Sequence, residues 1–379
     1  MNDDLNSSKL RGFLSKHESP EKVVEIRIEP DTVYIEDARD SLNLNFDFTV
    51  ENLTDSNLII KFIKVAVYDE SGELVTYRHV NHNGVGTPSI HTIGNFEIEG
   101  KGVVDIFNPF HRFPKDLSLH HLRFMFTILD SKSKKEYYYG NILVTPNRFE
   151  QRVSLCLPLK GVLTVLDGHD FYSHHRRFAM SLVRKATNDE FFSNFSRFAV
   201  DFTLLGKDGN TREMLPEEYS ENYDFHFKDA RKFYTDDAIV YSPADGTIVD
   251  CIDYLDDLYE TQFDMDDAIR NNRVSDIAGN YIVIQHNDLE FSHLFHLKKN
   301  SITIKEGELV KQGQPIGKIG FSGAATTYSH LHYQLMDGPH FLRDNPLPCK
   351  FADVHLMLGS QIRKYSELEL DTGDIIFSE

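Results

Sequence analysis

The sequence predicts a mainly β protein, an N-terminal antiparallel β-sandwich followed by a C-terminal antiparallel β-sheet domain with a short acidic helical insertion. Three observations predict it. Short runs of alternating apolar and polar residues recur along the chain, and turn residues separate them. A chain of 379 residues at roughly 100–200 residues per domain suggests two domains. The Gly-rich second half repeats the strand and turn pattern with one helical interruption.

Residues 1–20 are polar and end in Ser-Pro, so they read as a flexible tail with one short helix around Leu10–Leu14. Residues 21–148 form the predicted sandwich, Ig-like in arrangement. Its strands are read at Val24–Ile28, Leu42–Phe48, Leu58–Phe62, Ile63–Tyr68, Leu122–Leu129 and Glu136–Val144, with turns at Asp69-Glu70-Ser71-Gly72 and Asp130-Ser131-Lys132. His79, His82, His120 and His121 show no ligand spacing and read as surface or turn residues. Residues 149–379 form the second domain. Further strands are read at Gly246–Val249, Gly279–His286 and around Ile304–Gly317. Between Cys251 and Ser275, Asp253, Asp256, Asp257, Glu260, Asp264, Asp266 and Asp267 are interleaved with Leu255, Leu258, Phe263 and Ile269, which predicts a helix with a solvated acidic face.

Composition narrows the function classes. Lys+Arg total 40 against Asp+Glu 59, a net charge of −19, which argues against a nucleic-acid partner. The three cysteines, Cys156, Cys251 and Cys349, are far apart, which excludes a Cys-rich zinc site and a dense disulfide framework; they read as small buried hydrophobes. No apolar run is long enough to span a bilayer and no signal peptide is seen at the N-terminus, so the default expectation is a cytoplasmic location.

The 18 histidines carry the chemistry. In Ser329-His330-Leu331-His332-Tyr333-Gln334-Leu335, strand alternation puts His330, His332 and Gln334 on one face. Two imidazoles held that close can divide metal ligation and work on a substrate between them. In Arg197-Phe198-Ala199-Val200-Asp201-Phe202, alternation turns Asp201 away from Phe198, Val200 and Phe202, toward an edge or a polar site. The run Gly168–Arg177 adds His169, His174 and His175; on a regular strand, His174 and His175 face opposite ways, so only one ligates. Another histidine, His296, ends a strand.

These parts occur in the order of a known family. Pro243-Ala244-Asp245-Gly246, Gly279–Ile284 with His296-Leu297, Val310–Gly317 with Ser322-Gly323, and His330-Leu331-His332-Tyr333 resemble the motifs of the lysostaphin-like (β-lytic) zinc metallopeptidases over roughly residues 155–350. The family's compact His-x-x-x-Asp is missing, because Arg197 stands four residues before Asp201. Ser173-His174-His175 with Arg-Phe-Ala-x-Asp-Phe at 197–202 resembles a divergent branch. The resemblance implies one zinc ion per chain held by His175, Asp201 and His332, with His174 second choice and His169 third for the first ligand. It implies His330 and His296 as catalytic residues, and hydrolysis of a peptide bond, of peptidoglycan stem or cross-bridge type, through a zinc-activated water. Family precedent points to the cell envelope.

Tyr172, Arg176 and Tyr328 are expected at the substrate. For each tyrosine, packing is an equally good reading, and for Arg176 and Arg177 a surface pair is the better one. Two other functions compete. A non-catalytic zinc- or cell-wall-peptide-binding module is favoured by the missing export signal and opposed by retention of His296, His330, His332 and Asp201. A lipoyl- or biotinyl-type carrier shares the Val-x-x-Gly-Gln-x-Ile hairpin but needs a modifiable Lys in a Met-Lys-Met or Asp-Lys-Ala turn, which this chain lacks.

Overall fold

The computed structural model describes residues 19–81, 97–187, 189–191, 194–213, 227–325 and 328–378. The expected helix at Leu10–Leu14 and His82 lie outside these residues. The chain divides into two compact units, Met1–Arg148 and Phe149–Glu379.

The first unit is built of sheets whose apolar faces meet. Val24–Glu29, Asp47–Asn52 and Val103–Phe107 form one sheet, and Glu136–Val144, His121–Asp130, Leu58–Tyr68 and Leu74–Asn81 form the main part of another. All these pairings are antiparallel. Every second side chain of Ile63, Val65 and Val67 is fully buried, as period-two patterning requires. Phe46, Phe48, Phe124 and Phe126 lock the two faces with edge-to-face contacts at 5.0–5.6 Å. Two expectations change. Leu58–Phe62 and Ile63–Tyr68 are one continuous strand. Leu42–Phe48 breaks at Asn45, where a short strand ends and the strand Asp47–Asn52 begins. His79 and His120 are exposed, and His121 stacks on Tyr68 at 4.6 Å.

The second unit is organised by an eleven-stranded sheet. Its centre runs Asn280–Asn287, Glu290–Leu297, Leu331–Met336, Val200–Leu204, Leu163–Asp167, each antiparallel to the next. The helical interruption is smaller than expected. The chain stays in a strand, Gly246–Ile252, and only Met265–Arg270 is α-helical, followed by a 3-10 turn at Val274–Ala278. Several of its acidic groups hold backbone. Asp253 accepts from Ser301 and Ile302 N–H, Asp257 from Phe321 N–H, and Asp264 caps the helix through Asp267 N–H. Cys349 is buried, whereas Cys156 and Cys251 are only half-buried, short of the burial expected of them.

No helix among the described residues is long and apolar enough to cross a membrane.

Candidate metal centre

Sheet register assembles the site. In antiparallel pairs, residues directly opposite share a face. Phe295 lies opposite His332, His332 opposite Asp201, and Asp201 opposite Asp167. These four side chains therefore form one row across four strands. His330 precedes His332 by two residues and joins the same face. Above the row sits a 3-10 turn, His175–Arg177, not the regular strand expected for this segment. The turn rotates His174 outward and His175 inward.

Asp167 sets that turn. Its Oδ1 accepts the His174 backbone N–H and its Oδ2 accepts His174 Nδ1–H, both at 2.6 Å. The His174 side chain remains 51% exposed, while that of His175 is 5% exposed. Asn194 donates to the His175 carbonyl at 2.8 Å and ties the turn from the other side. Burial pulls the His174 pKa down, but the Asp167 bond and charge overcome it, so the net shift is upward.

His175, Asp201 and His332 present ligand atoms that all lie within 4.8 Å of one another. His175 Nε2 is 3.5 Å and His330 Nε2 3.4 Å from Asp201 Oδ2, and His332 Nδ1 is 3.1 Å from Asp201 Oδ1. Tyr328 donates its hydroxyl to Asp201 Oδ2 at 3.2 Å. Burial raises the Asp201 pKa, yet His175, His330 and His332 together hold it well below the usual carboxylate range. Burial pushes His175 down to about 3 and lowers His330 and His296 as well. Asp201 is thus an ionised carboxylate, and burial disfavours the charged form of His175, His330 and His296 around it.

The tautomers show what this arrangement lacks. His332 Nε2 meets the Gln334 Oε1 acceptor at 2.9 Å and donates to it, which in the neutral ring makes Nδ1 a lone pair. That lone pair faces Asp201 Oδ1, which is buried and accepts no hydrogen bond. His330 Nδ1 donates to the Tyr328 carbonyl at 3.0 Å, which turns a second lone pair, on Nε2, toward Asp201 Oδ2. Converging lone pairs on a buried anion are unfavourable without a cation between them. The donor set of two imidazoles and a carboxylate, with His332 Nε2 backed by the Gln334 acceptor, suits zinc. His296, His330 and His332 form an overlapping cluster, with ring centroids 4.9 Å apart for His296–His330 and 5.9 Å for His296–His332. His296 Nδ1 donates to the Ser322 carbonyl at 2.9 Å, leaving its Nε2 unprotonated.

The apolar wall is also specific. Phe295 stacks on His332 at 5.2 Å with 4° between the planes, and Phe195 and Phe341 pack behind.

The structure brings His175, Asp201, His332, His330, His296 and Tyr328 together. His169 is fully buried and Cys349 Sγ lies 3.7 Å from its Nε2. Tyr172 is 65% exposed. Arg176 is fully buried, which corrects the surface-pair reading; its chain neighbour Arg177 is half-buried and donates to the Ser173 and Tyr172 carbonyls. Sequence reasoning missed Asp167. Val165 lies opposite Phe202 and Asp167 opposite Asp201, so an irregularity between them turns Asp167 off the face of Leu163 and Val165, and simple alternation carries no signal of it.

Residues 232–343 match peptidase family M23. The chain carries a peptidase family M23 domain. His296, His330 and His332 fall within the matched residues, while His175 and Asp201 precede them; Asp201 lies on the strand that pairs with the matched segment at His332. Among curated relatives, the peptidoglycan DD-endopeptidase ShyA of Vibrio cholerae is 41% identical over 77 residues, 20% of this chain and 16% of its own. ShyC of the same organism is 37% identical over 95 residues, 25% of this chain and 21% of its own. An uncharacterized metalloprotease of Buchnera aphidicola is 44% identical over 70 residues, 18% of each chain. The matched stretches span about a fifth of these relatives' length. Solved structures similar to the chain include a zinc-containing peptidase from Vibrio cholerae (16% identity, 60% of this chain and 81% of that one, TM-score 0.20). Lysostaphin from Staphylococcus simulans is another (16% identity, 38% and 68%, TM-score 0.21).

Proposed function

We propose that this chain is a zinc-dependent endopeptidase that hydrolyses peptide bonds in peptidoglycan. The observation that carries the reading is the convergence of His175, Asp201 and His332 on one point, with His296 and His330 beside it. The M23 match and the partial likeness to peptidoglycan DD-endopeptidases support the substrate class.

When bound, zinc supplies Lewis acidity that makes water a nucleophile near neutral pH and polarises the scissile carbonyl. The chain supplies the rest. His175, Asp201 and His332 hold the ion, and Gln334 fixes the His332 ring. His330 and His296 each keep Nδ1–H on a backbone carbonyl and an Nε2 lone pair free. One takes the proton of the attacking water and returns it to the leaving amine. The other takes up a proton from solvent on Nε2 as negative charge develops on the substrate oxygen, and donates that N–H to the oxyanion. Tyr328 holds Asp201 in its rotamer through the hydroxyl bond to Oδ2. The aromatic wall of Phe295, Phe195 and Phe341 excludes water from the ligand rings and strengthens these electrostatic interactions.

The test is digestion of purified peptidoglycan by the full chain loaded with zinc, with products identified by mass spectrometry. The reading expects new amino and carboxyl termini within the peptide stems or cross-bridges, abolished in His330→Ala and His332→Ala. Intact peptides after exhaustive digestion by the zinc-loaded chain overturn it.

A further inference from the structure

His296 reaches the metal-centre face through a break in its strand. Phe295 lies opposite His332 and stacks on it, so a regular strand would send His296 to the far face. The pairing with Asn280–Asn287 slips here. Leu294 opposes Ile282 and Leu297 opposes Asn280, so three steps on one strand meet two on the other. This is a β-bulge, and His296 within it has φ +63°, a left-handed conformation that a non-glycine residue adopts only when its surroundings impose it.

Those surroundings are two short segments that cross. Ser322 donates its hydroxyl to the Leu297 carbonyl at 2.8 Å and accepts Asn280 N–H on the same oxygen at 2.8 Å. The Asn280 side chain donates to the Leu297 carbonyl at 3.1 Å and also bonds both Leu255 backbone groups. Gly320 N–H donates to the His296 carbonyl at 3.0 Å. The Ser322 carbonyl takes the His296 ring proton. The crossing is possible only without side chains at two points. A Cβ on Gly279 would stand 2.4 Å from Ser322 Oγ, and one on Gly323 would stand 2.3 Å from Gly279 N. Each also has positive φ, +65° and +67°.

We propose that Ser322 and Asn280 form a positioning clamp for His296. It holds the bulged histidine in its Nδ1–H tautomer with the Nε2 lone pair turned into the metal-centre face. Ser322 is then a positioning residue for proton transfer, acting through His296 and touching neither ion nor substrate. The inference rests on the peptidase reading and adds to it a reason for the Gly-Asn and Ser-Gly pairs, whose residues are otherwise far from the chemistry.

The test uses the zinc-loaded full chain, a soluble cross-linked muropeptide, and nitrogen-15 NMR of the histidine rings. In Ser322→Ala, kcat falls about tenfold or more while KM and zinc content stay unchanged, and His296 loses its single Nδ1–H signal. Asn280→Ala, which removes the other side chain of the clamp, gives the same signature and serves if the first variant does not fold. A folded variant with wild-type kcat and an intact His296 Nδ1–H signal overturns the clamp. If His332→Ala is inactive while Ser322→Ala matches wild type, only the clamp fails. If His332→Ala still cleaves, the peptidase reading itself fails.

Discussion

Replacing Asp201 by Asn should reverse its own effect on stability according to whether zinc is present. Asp201 is 1% exposed, ionised, and faced by ring nitrogens of His332 and His330 at 3.1 and 3.4 Å. Without a cation, the cost of burying that charge is offset in part by the Tyr328 hydroxyl bond. Asn keeps the shape, removes the charge, and gains an N–H that can donate to an imidazole lone pair. In chelator, therefore, Asp201→Asn should unfold at or above the wild-type temperature. With zinc the order changes. At a free zinc concentration about a hundred times Kd, binding stabilises the folded wild type by about 2.7 kcal/mol. For a unit the size of Phe149–Glu379, roughly 2–4 °C per kcal/mol converts this to a rise of about 5–11 °C. The variant, lacking its only carboxylate ligand, should rise little. Differential scanning calorimetry of both proteins in zinc and in chelator reads all four values. Equal wild-type melting temperatures in zinc and chelator, or an equal zinc response in Asp201→Asn, would refute the reasoning.

Other consequences follow from the same geometry. His175→Ala should lose zinc by metal analysis and His174→Ala should retain it, because Asp167 occupies His174 Nδ1 and turns the ring outward. Gln334→Leu removes the acceptor behind His332 without touching a ligand, and should weaken zinc binding about 10–100-fold in a competition titration. His293, fully buried and distinct from the ligands, bears on acid stability. Burial lowers its pKa from 6.5 to about 4, against the opposing bond to the Gly338 carbonyl. The unfolded chain takes up a proton below about pH 6.5 and the folded chain does not, so this stability is complete above that pH and is lost as pH falls toward 4. The loss is about 3 kcal/mol. His293→Gln should flatten the fall of the urea midpoint across that window by a corresponding amount, and an unchanged slope counts against it.

The alternation of two residues made much of this legible from sequence. It placed His330, His332 and Gln334 on one face, and it turned Asp201 away from Phe198, Val200 and Phe202. What alternation cannot show is where it fails. His175 points inward because the chain leaves extended geometry for a 3-10 turn, and that turn depends on Asp167, which a register shift after Val165 turns toward the site. His296 is aimed by a bulge set by residues from two other segments, so no local pattern could place it; only the family resemblance did. Arg176 looked like half of a surface pair because neighbouring charges usually are one, yet the same turn buries it while Arg177 stays at the edge. The acidic segment between Cys251 and Ser275 read as a solvated helix, since its spacing carries no sign that Asp253 and Asp257 accept backbone N–H groups from distant loops.

Zinc-edge X-ray absorption on the loaded full chain bears most directly on the coordination proposed for His175, Asp201 and His332. The account predicts one zinc per chain in a shell of nitrogen and oxygen alone at about 2.0–2.2 Å, with the metal lost in His332→Ala. A sulfur neighbour at about 2.3 Å, or zinc content unchanged in that variant, would contradict it.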